Sequence, residues 1–157
     1  MVGSVGKGCS LVERAYLAGL FDSDGAIMAS IESHKEKRFK FRVRVILKIT
    51  QKNLDVLHWA YSHTHLGRIQ KNRTTSDWIV KNQHDCETIL RLILPYSIGK
   101  RKQVDLALDI LRYTITSKDD LLMVARLADS LSSFNVRSLG RRKNYASKIL
   151  EHSSSND

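Results

Sequence analysis

From Phe39 to Ile49 every odd position is apolar, and every even position but one is cationic: Lys40, Arg42, Arg44 and Lys48, with Ile46 the exception. Alternation with period two over eleven residues predicts a long strand with one buried face. Its other face carries a row of cations about 7 Å apart, because side chains on one face recur every second residue. Residues 26–33 alternate as well, with Ile27, Ala29 and Ile31 on one side and Met28, Ser30 and Glu32 on the other. The polar stretch 33–38 between them reads as a hairpin connection. A second, shorter pair of strands, 67–72 and 76–81, flanks the turn-like Arg73-Thr74-Thr75.

Helical spacing fills the remainder. A capping box, Ser10-x-x-Glu13, opens a helix that runs through Phe21. Between the hairpins, 53–65 reads as a helix, and His63-x-His65 marks its end, where cations are favoured. Helices follow at 85–94, which stops before Pro95, then at 99–113, from 117 to about 134, and at 144–152. Trp59, Trp78 and Tyr16 fall at apolar-periodic positions and are assigned to the core. The order helix, hairpin, helix, hairpin, helices defines an α+β fold with an antiparallel sheet backed by helices and additional C-terminal helices. Its 157 residues make one domain, placed at 10–152, with flexible ends at 1–9 and 153–157.

Charge changes the picture. The chain carries 26 Lys+Arg against 16 Asp+Glu, a formal net charge of +10. Windows 34–52, 68–81, 100–102 and 137–148 hold 20 of the basic residues and only two acids, Glu36 and Asp77. Segregation this strong implies a dedicated cationic surface and a polyanionic partner. Cys9 and Cys86 stand far apart in no metal-binding pattern, which excludes a disulfide scaffold or zinc ribbon and fits a reducing compartment. With neither a secretory leader nor a membrane span, the chain is expected to be soluble and intracellular, with no membrane partner.

The polar faces of the two hairpins combine into one surface: Ser30, Glu32, Lys40, Arg42, Arg44, Lys48, Arg68, Gln70, Asn72, Asp77 and Ile79. A β-ribbon fits the major groove of DNA, and Arg, Gln and Asn suit bidentate base contacts. Arg137, Arg141, Arg142 and Lys143, with Lys37 and Lys71, are assigned to phosphate contacts. His34, in the hairpin connection, joins the DNA-contacting set.

The opening helix ends in Asp22-Ser23-Asp24-Gly25. Two carboxylates at a helix C-terminus oppose the macrodipole, so they suggest a task such as holding Mg²⁺, which prefers oxygen ligands. Turn formation by Asp and Gly explains these four residues equally well. Ala15, Ala18 and Gly19 form a small-residue face. Glycine within a helix costs about 1 kcal/mol relative to alanine, so it calls for a close approach. With one such helix and no internal repeat, contact with a second copy across a two-fold axis is favoured over packing on the chain's own sheet.

The whole stretch Leu17-Ala18-Gly19-Leu20-Phe21-Asp22-Ser23-Asp24-Gly25 resembles the signature of the LAGLIDADG homing endonucleases, departing from it at Phe21 and Ser23. The element order, Thr50-Gln51-Lys52 after the long strand, and Lys100-Arg101-Lys102-Gln103 after Pro95 extend the likeness. A single signature resembles the homodimeric, intron-encoded branch. The resemblance implies an αββαββα fold and a saddle lying along the DNA groove, one half-site per subunit. It implies that Asp24 binds divalent metal with the backbone carbonyl of Ser23, and that Asp22 supports the helix end at the dimer interface with Ala15, Ala18 and Gly19. Gln51 then positions the active-site water, and Lys100 helps activate water or stabilise the phosphorane. The arginine that such homodimers carry shortly after the glutamine is replaced here by Asn53-Leu54-Asp55-Val56, leaving Lys52 as its substitute.

The activity implied is Mg²⁺-dependent double-strand cleavage of a long, nearly palindromic site. Mn²⁺ is expected to substitute, and Ca²⁺ to support binding without cleavage. An organelle, chloroplast or mitochondrion, is the expected compartment, with prokaryotic cytoplasm as the other choice. The alternative is an RNA maturase acting on host intron RNA, or a DNA-binding protein that no longer cuts.

Overall fold

The computed structural model describes residues 8–135 and 144–155. Its elements are α1 (Leu11–Asp24), β1 (Gly25–Ser33), β2 (Phe41–Gln51), α2 (Leu54–Thr64), β3 (Arg68–Lys71), β4 (Ser76–Val80), α3 (Gln83–Ile93), α4 (Arg101–Arg112), α5 (Lys118–Asn135) and α6 (Tyr145–Ser154). The α+β class and the predicted order of elements hold.

The four strands form one antiparallel sheet in the order β1-β2-β4-β3. α2 carries the chain across, so that the last strand of the second hairpin docks on the last strand of the first. One face of the sheet is the floor of the core. Ile27, Val45, Leu47, Ile49, Trp78 and Val80 are fully buried there against Leu17 and Phe21 of α1, Leu57 of α2 and Ile89, Leu90 and Ile93 of α3. Phe21 meets Trp78 with ring centroids 6.0 Å apart, and the Trp78 indole N–H donates to the Leu66 carbonyl at 2.8 Å. A smaller apolar cluster of Leu121, Ala125 and Ile149 joins α5 to α6 beneath Phe39 and Phe41.

The capping box is formed: Ser10 Oγ accepts from the Glu13 N–H at 3.2 Å and Glu13 Oε2 accepts from the Ser10 N–H at 2.8 Å. α4 and α6 make no side-chain cap with their own N-cap residues. Asp129 of α5 serves α6, accepting from the N–H groups of Tyr145 and Ala146 at 2.6 and 3.1 Å. α4 is served likewise from α1, as shown below.

Several boundaries move. β2 begins at Phe41 and runs to Gln51, two residues later than the alternation suggests at both ends. Lys40 has φ 64°, a left-handed turn residue, and its carbonyl accepts from the His34 N–H at 2.7 Å to close the hairpin. α4 starts at Arg101, after Gly99 and Lys100, and α6 continues to Ser154, so 153–154 belong to a helix. Cys9 is buried, and its carbonyl accepts from Arg14 Nε at 3.1 Å, so packing begins before residue 10. Tyr16 is 48% exposed and only leans on Trp59, edge to face at 4.5 Å, so it does not belong to the core. Cys9 and Cys86 are both free thiols, and burial pushes Cys86 up to about 12. No helix among the described residues is long and apolar enough to cross a membrane.

Candidate active site

The signature stretch places its two acids in different environments. Asp22 turns inward. Its Oδ2 accepts from the N–H groups of Ile98 and Gly99 at 2.9 and 3.0 Å, and its Oδ1 from that of Lys100 at 3.0 Å. Those amides lead into α4, so the carboxylate that opposes the dipole of its own helix sits at the favourable end of another. Lys100 Nζ in turn donates to the Asp22 carbonyl at 2.9 Å, satisfying a C-terminal carbonyl of α1.

Asp24 turns outward and is exposed. Its Oδ2 accepts from Gln51 Nε2 at 2.6 Å and, more weakly, from Ser23 Oγ at 3.4 Å. Ser23 Oγ also donates to the Gly19 carbonyl at 3.0 Å. Sheet register accounts for Gln51: Ile49 pairs with Gly25, so two residues later the strand end lies beside the last turn of α1. Gly25 permits this sharp passage from helix to strand. A Cβ there would lie 2.6 Å from Phe21 Cα and 2.8 Å from the Phe21 carbonyl oxygen.

Among the described residues, no group of three or more His, Cys, Asp or Glu could hold a metal ion. His63 does not form a ligand pair: its Nδ1 lies 2.8 Å from the Trp59 carbonyl and its Nε2 3.6 Å from Glu13. One chain therefore offers Asp24 as a single outward carboxylate. Its donors are oxygen only, which suits a hard divalent cation that completes its shell from elsewhere.

Across the open face of the sheet, register groups the side chains into rows. Starting nearest Gln51, these are Thr50–Asp77–Gln70, Ala26–Lys48–Ile79–Arg68, Met28–Ile46, Ser30–Arg44 and Glu32–Arg42. Most of the predicted DNA-reading set thus shares one surface. Lys71 ends β3, and Asn72 lies at the hairpin tip, its N–H donating to the Thr75 carbonyl at 2.8 Å. Two members differ from expectation. Lys40 is in the hairpin loop with His34 and Lys37, and its Nζ donates to the Lys35 carbonyl at 3.1 Å. Asp77 is 8% exposed, with Oδ1 accepting from Thr50 Oγ1 at 2.6 Å and Oδ2 3.9 Å from Lys48 Nζ. Burial alone would raise the Asp77 carboxyl. Hydrogen bonds from Thr50 and Asn72, with the Lys48 charge, outweigh that and hold it below the usual carboxylate value. Arg137, Arg141, Arg142 and Lys143 lie outside the described residues. The DNA-reading set drawn from the sequence omits Thr50, Met28 and Ile46, although alternation puts Met28 and Ile46 on that face and Thr50 adjoins Gln51.

The outward stripe of α1 is apolar and open. Leu11, Val12 and Tyr16 are 66%, 79% and 48% exposed, and Ala15 and Gly19 are exposed between them. A Cβ on Gly19 would meet nothing within 4 Å, so the chain itself gives no reason for glycine there. Ala18 is completely buried and cannot belong to an external face. Positions 15, 18 and 19 span only about 100° of the helix, so Ala18 is covered because the chain's own packing reaches that edge of the stripe. Asp22, half-buried, spends its carboxylate on three amides of its own chain.

A helix ending in one inward and one outward acid, beside a sheet face rich in cations, has the charge layout of an enzyme acting on nucleic acid. Residues 17–111 match the family model described as LAGLIDADG endonuclease. The chain is 34% identical over 122 residues to the DNA endonuclease I-CvuI of Chlorella vulgaris, covering 74% of this chain and 76% of that protein. It is 28% identical over 128 residues to the DNA endonuclease I-CreI of Chlamydomonas reinhardtii, covering 76% and 77% respectively. A crystal structure of I-CvuI with the I-CreI target in 2 mM Mg, its DNA not cleaved, superposes with a TM-score of 0.81 at 30% identity over 92% of this chain and 94% of that one. An archaeal intron-encoded homing endonuclease, I-Vdi141I, shares the fold with a TM-score of 0.77 at 21% identity, over 92% and 96% of the two chains. The chain belongs to the LAGLIDADG endonuclease family, and its class of activity is that of a DNA homing endonuclease.

Proposed function

We propose that two copies of this chain pair through α1 and cut both strands of a long, nearly palindromic DNA site, with a divalent metal ion held by Asp24. The observation that carries this reading is the position of Asp24. It is an exposed carboxylate on the last turn of a helix whose outward face is bare around Gly19. Pairing along that face would bring two copies of Asp24 together at the base of the interface, doubling the oxygen donors that one chain offers.

A bound divalent ion acidifies water and neutralises charge on phosphoryl oxygens. The chain's own residues do the rest. Asp24 and the Ser23 carbonyl supply oxygen ligands. Gln51, whose amide donates to Asp24, is placed to orient an attacking water at that carboxylate. Lys100, anchored through Asp22, sets a positive charge by the helix end, where negative charge develops on the phosphorane. Lys52, exposed next to Gln51, supplies the further cation expected there.

Arg42, Arg44, Lys48, Arg68 and Gln70 read base edges, while Lys37, Lys71 and the basic residues 137–143 grip phosphates. Mg²⁺ is the working ion, replaceable by Mn²⁺, with Ca²⁺ supporting binding alone. An organellar genome is the proposed setting, consistent with relatives from green algae. A role confined to folding intron RNA gives no use to the Asp24–Gln51 pair.

The test is to incubate the protein with a DNA library in Mg²⁺ and in Ca²⁺ and sequence all new ends. Paired cuts on opposite strands at one recurring site, in Mg²⁺ only, are expected. Recovery of bound but uncut DNA in both ions would favour a non-cleaving DNA binder.

A further inference from the structure

The cationic row along β2 is interrupted once, at Ile46, and register places Met28 of β1 opposite it. Both neighbours on the strand, Val45 and Leu47, are fully buried in the core, as is Ile27 beside Met28. Alternation therefore turns Met28 and Ile46 onto the open face of the sheet. Side chains directly opposite on antiparallel strands have Cβ atoms about 5 Å apart, so the two form one continuous apolar contact. Ser30–Arg44 lies on one side of it along the strands and Ala26–Lys48 on the other.

From this juxtaposition we infer that Met28 and Ile46 together read a thymine methyl group in the major groove, making one position in each half-site specific for thymine. This rests on the proposed function, which places DNA on this face. An apolar pair flanked by Arg44 and Lys48 has charge complementarity to a duplex on both sides. Cations on either side hold phosphates or guanine edges, leaving the pair against the groove floor. There the C5 methyl of thymine is the apolar group that base pairs present. Ile46 is five residues from Gln51 along an extended strand, about 17 Å. At a base rise of about 3.4 Å, the methyl-read position lies about five base pairs outside the cleavage point.

The experiment uses the full chain and the site recovered from a DNA library in Ca²⁺. Each thymine is replaced in turn by deoxyuridine, symmetrically in both half-sites, and Kd is measured by fluorescence anisotropy. At the predicted position, removing the methyl should weaken binding about fourfold per half-site, the factor given by ~0.8 kcal/mol for one buried methyl-sized group. The double variant Met28→Ala, Ile46→Ala should bind the thymine site more weakly but lose the distinction between thymine and deoxyuridine there alone. Ile46→Ser by itself should shrink it, should the double variant misfold, and the scan on the unaltered chain requires no variant. The inference is overturned if selected sites lack thymine at that position, if deoxyuridine there costs less than about twofold, or if the penalty survives both substitutions. Sequence-selective binding with such a result leaves the endonuclease reading intact, whereas absence of any selective DNA binding overturns both.

Discussion

Asp22 and Lys100 are joined twice, in opposite senses: the Lys100 N–H donates to Asp22 Oδ1 at 3.0 Å, and Lys100 Nζ donates to the Asp22 carbonyl at 2.9 Å. The first bond fixes the start of α4 and the second fixes the ammonium. One acid of the signature thereby positions Lys100, the cation proposed to act at the phosphorane. Asp22→Ala removes a carboxylate that accepts three amides, and should lower stability by about 1–3 kcal/mol in urea unfolding. It should also slow single-turnover cleavage. Lys100→Met should slow cleavage by about as much with a smaller loss of stability, which separates the two roles.

Asp24 does different work from Asp22, although only Ser23 separates them. Asp24→Asn should leave target binding within about a few-fold of the original in gel shifts, while cleavage in Mg²⁺ falls below detection. Normal cleavage by this variant would remove Asp24 from the metal site.

Gly19 has open space where a side chain would stand. Gly19→Leu should therefore leave the chain folded, and slightly more helical since leucine is the better helix former. It should still split the pair, shifting sedimentation from dimer to monomer. A folded variant that remains dimeric would exclude this face of α1 as the interface.

Asp77 adds a pH-dependent contribution to stability. Its carboxyl is held below the usual value in the folded chain, so the contribution is present above the unfolded pKa, near 4. It is lost as pH falls through the lower folded value. Asp77→Asn should flatten that part of the acid limb in thermal melts below about pH 4, and Thr50→Val should flatten part of it.

Gly67 has φ 76°, and a Cβ would lie 2.6 Å from the Ile79 carbonyl oxygen. Gly67→Ala combines backbone strain with a collision against β4, so a loss of about 2 kcal/mol or more is expected in denaturant unfolding. Gly99→Ala meets only ordinary contacts with Asp22 at 3.6–3.8 Å and should be far milder.

The sequence by itself determined the strands, the helices and the cationic face of the sheet. Each of those rests on side chains close along the chain: period-two alternation in 39–49, helical spacing elsewhere, and Ser10 with Glu13 at one helix start. It placed β2 two residues early because Phe39 continues the alternation, whereas the left-handed backbone of Lys40 turns Phe39 under α5 and α6. The signature pointed to Asp24 and the wider family resemblance to Gln51, and the two adjoin because Gly25 pairs with Ile49.

What tertiary structure alone decided was the direction each signature residue faces. Asp22 points inward because three unpaired amides, 76 to 78 positions away, lie at the start of α4. Ala18 is buried while Ala15 and Gly19 are bare, a choice fixed by which side of α1 the sheet covers. Alternation already placed Met28 and Ile46 on the polar faces of their strands, but only register set them opposite each other. Local periodicity specifies which residues share a face, but only long-range pairing specifies what that face meets.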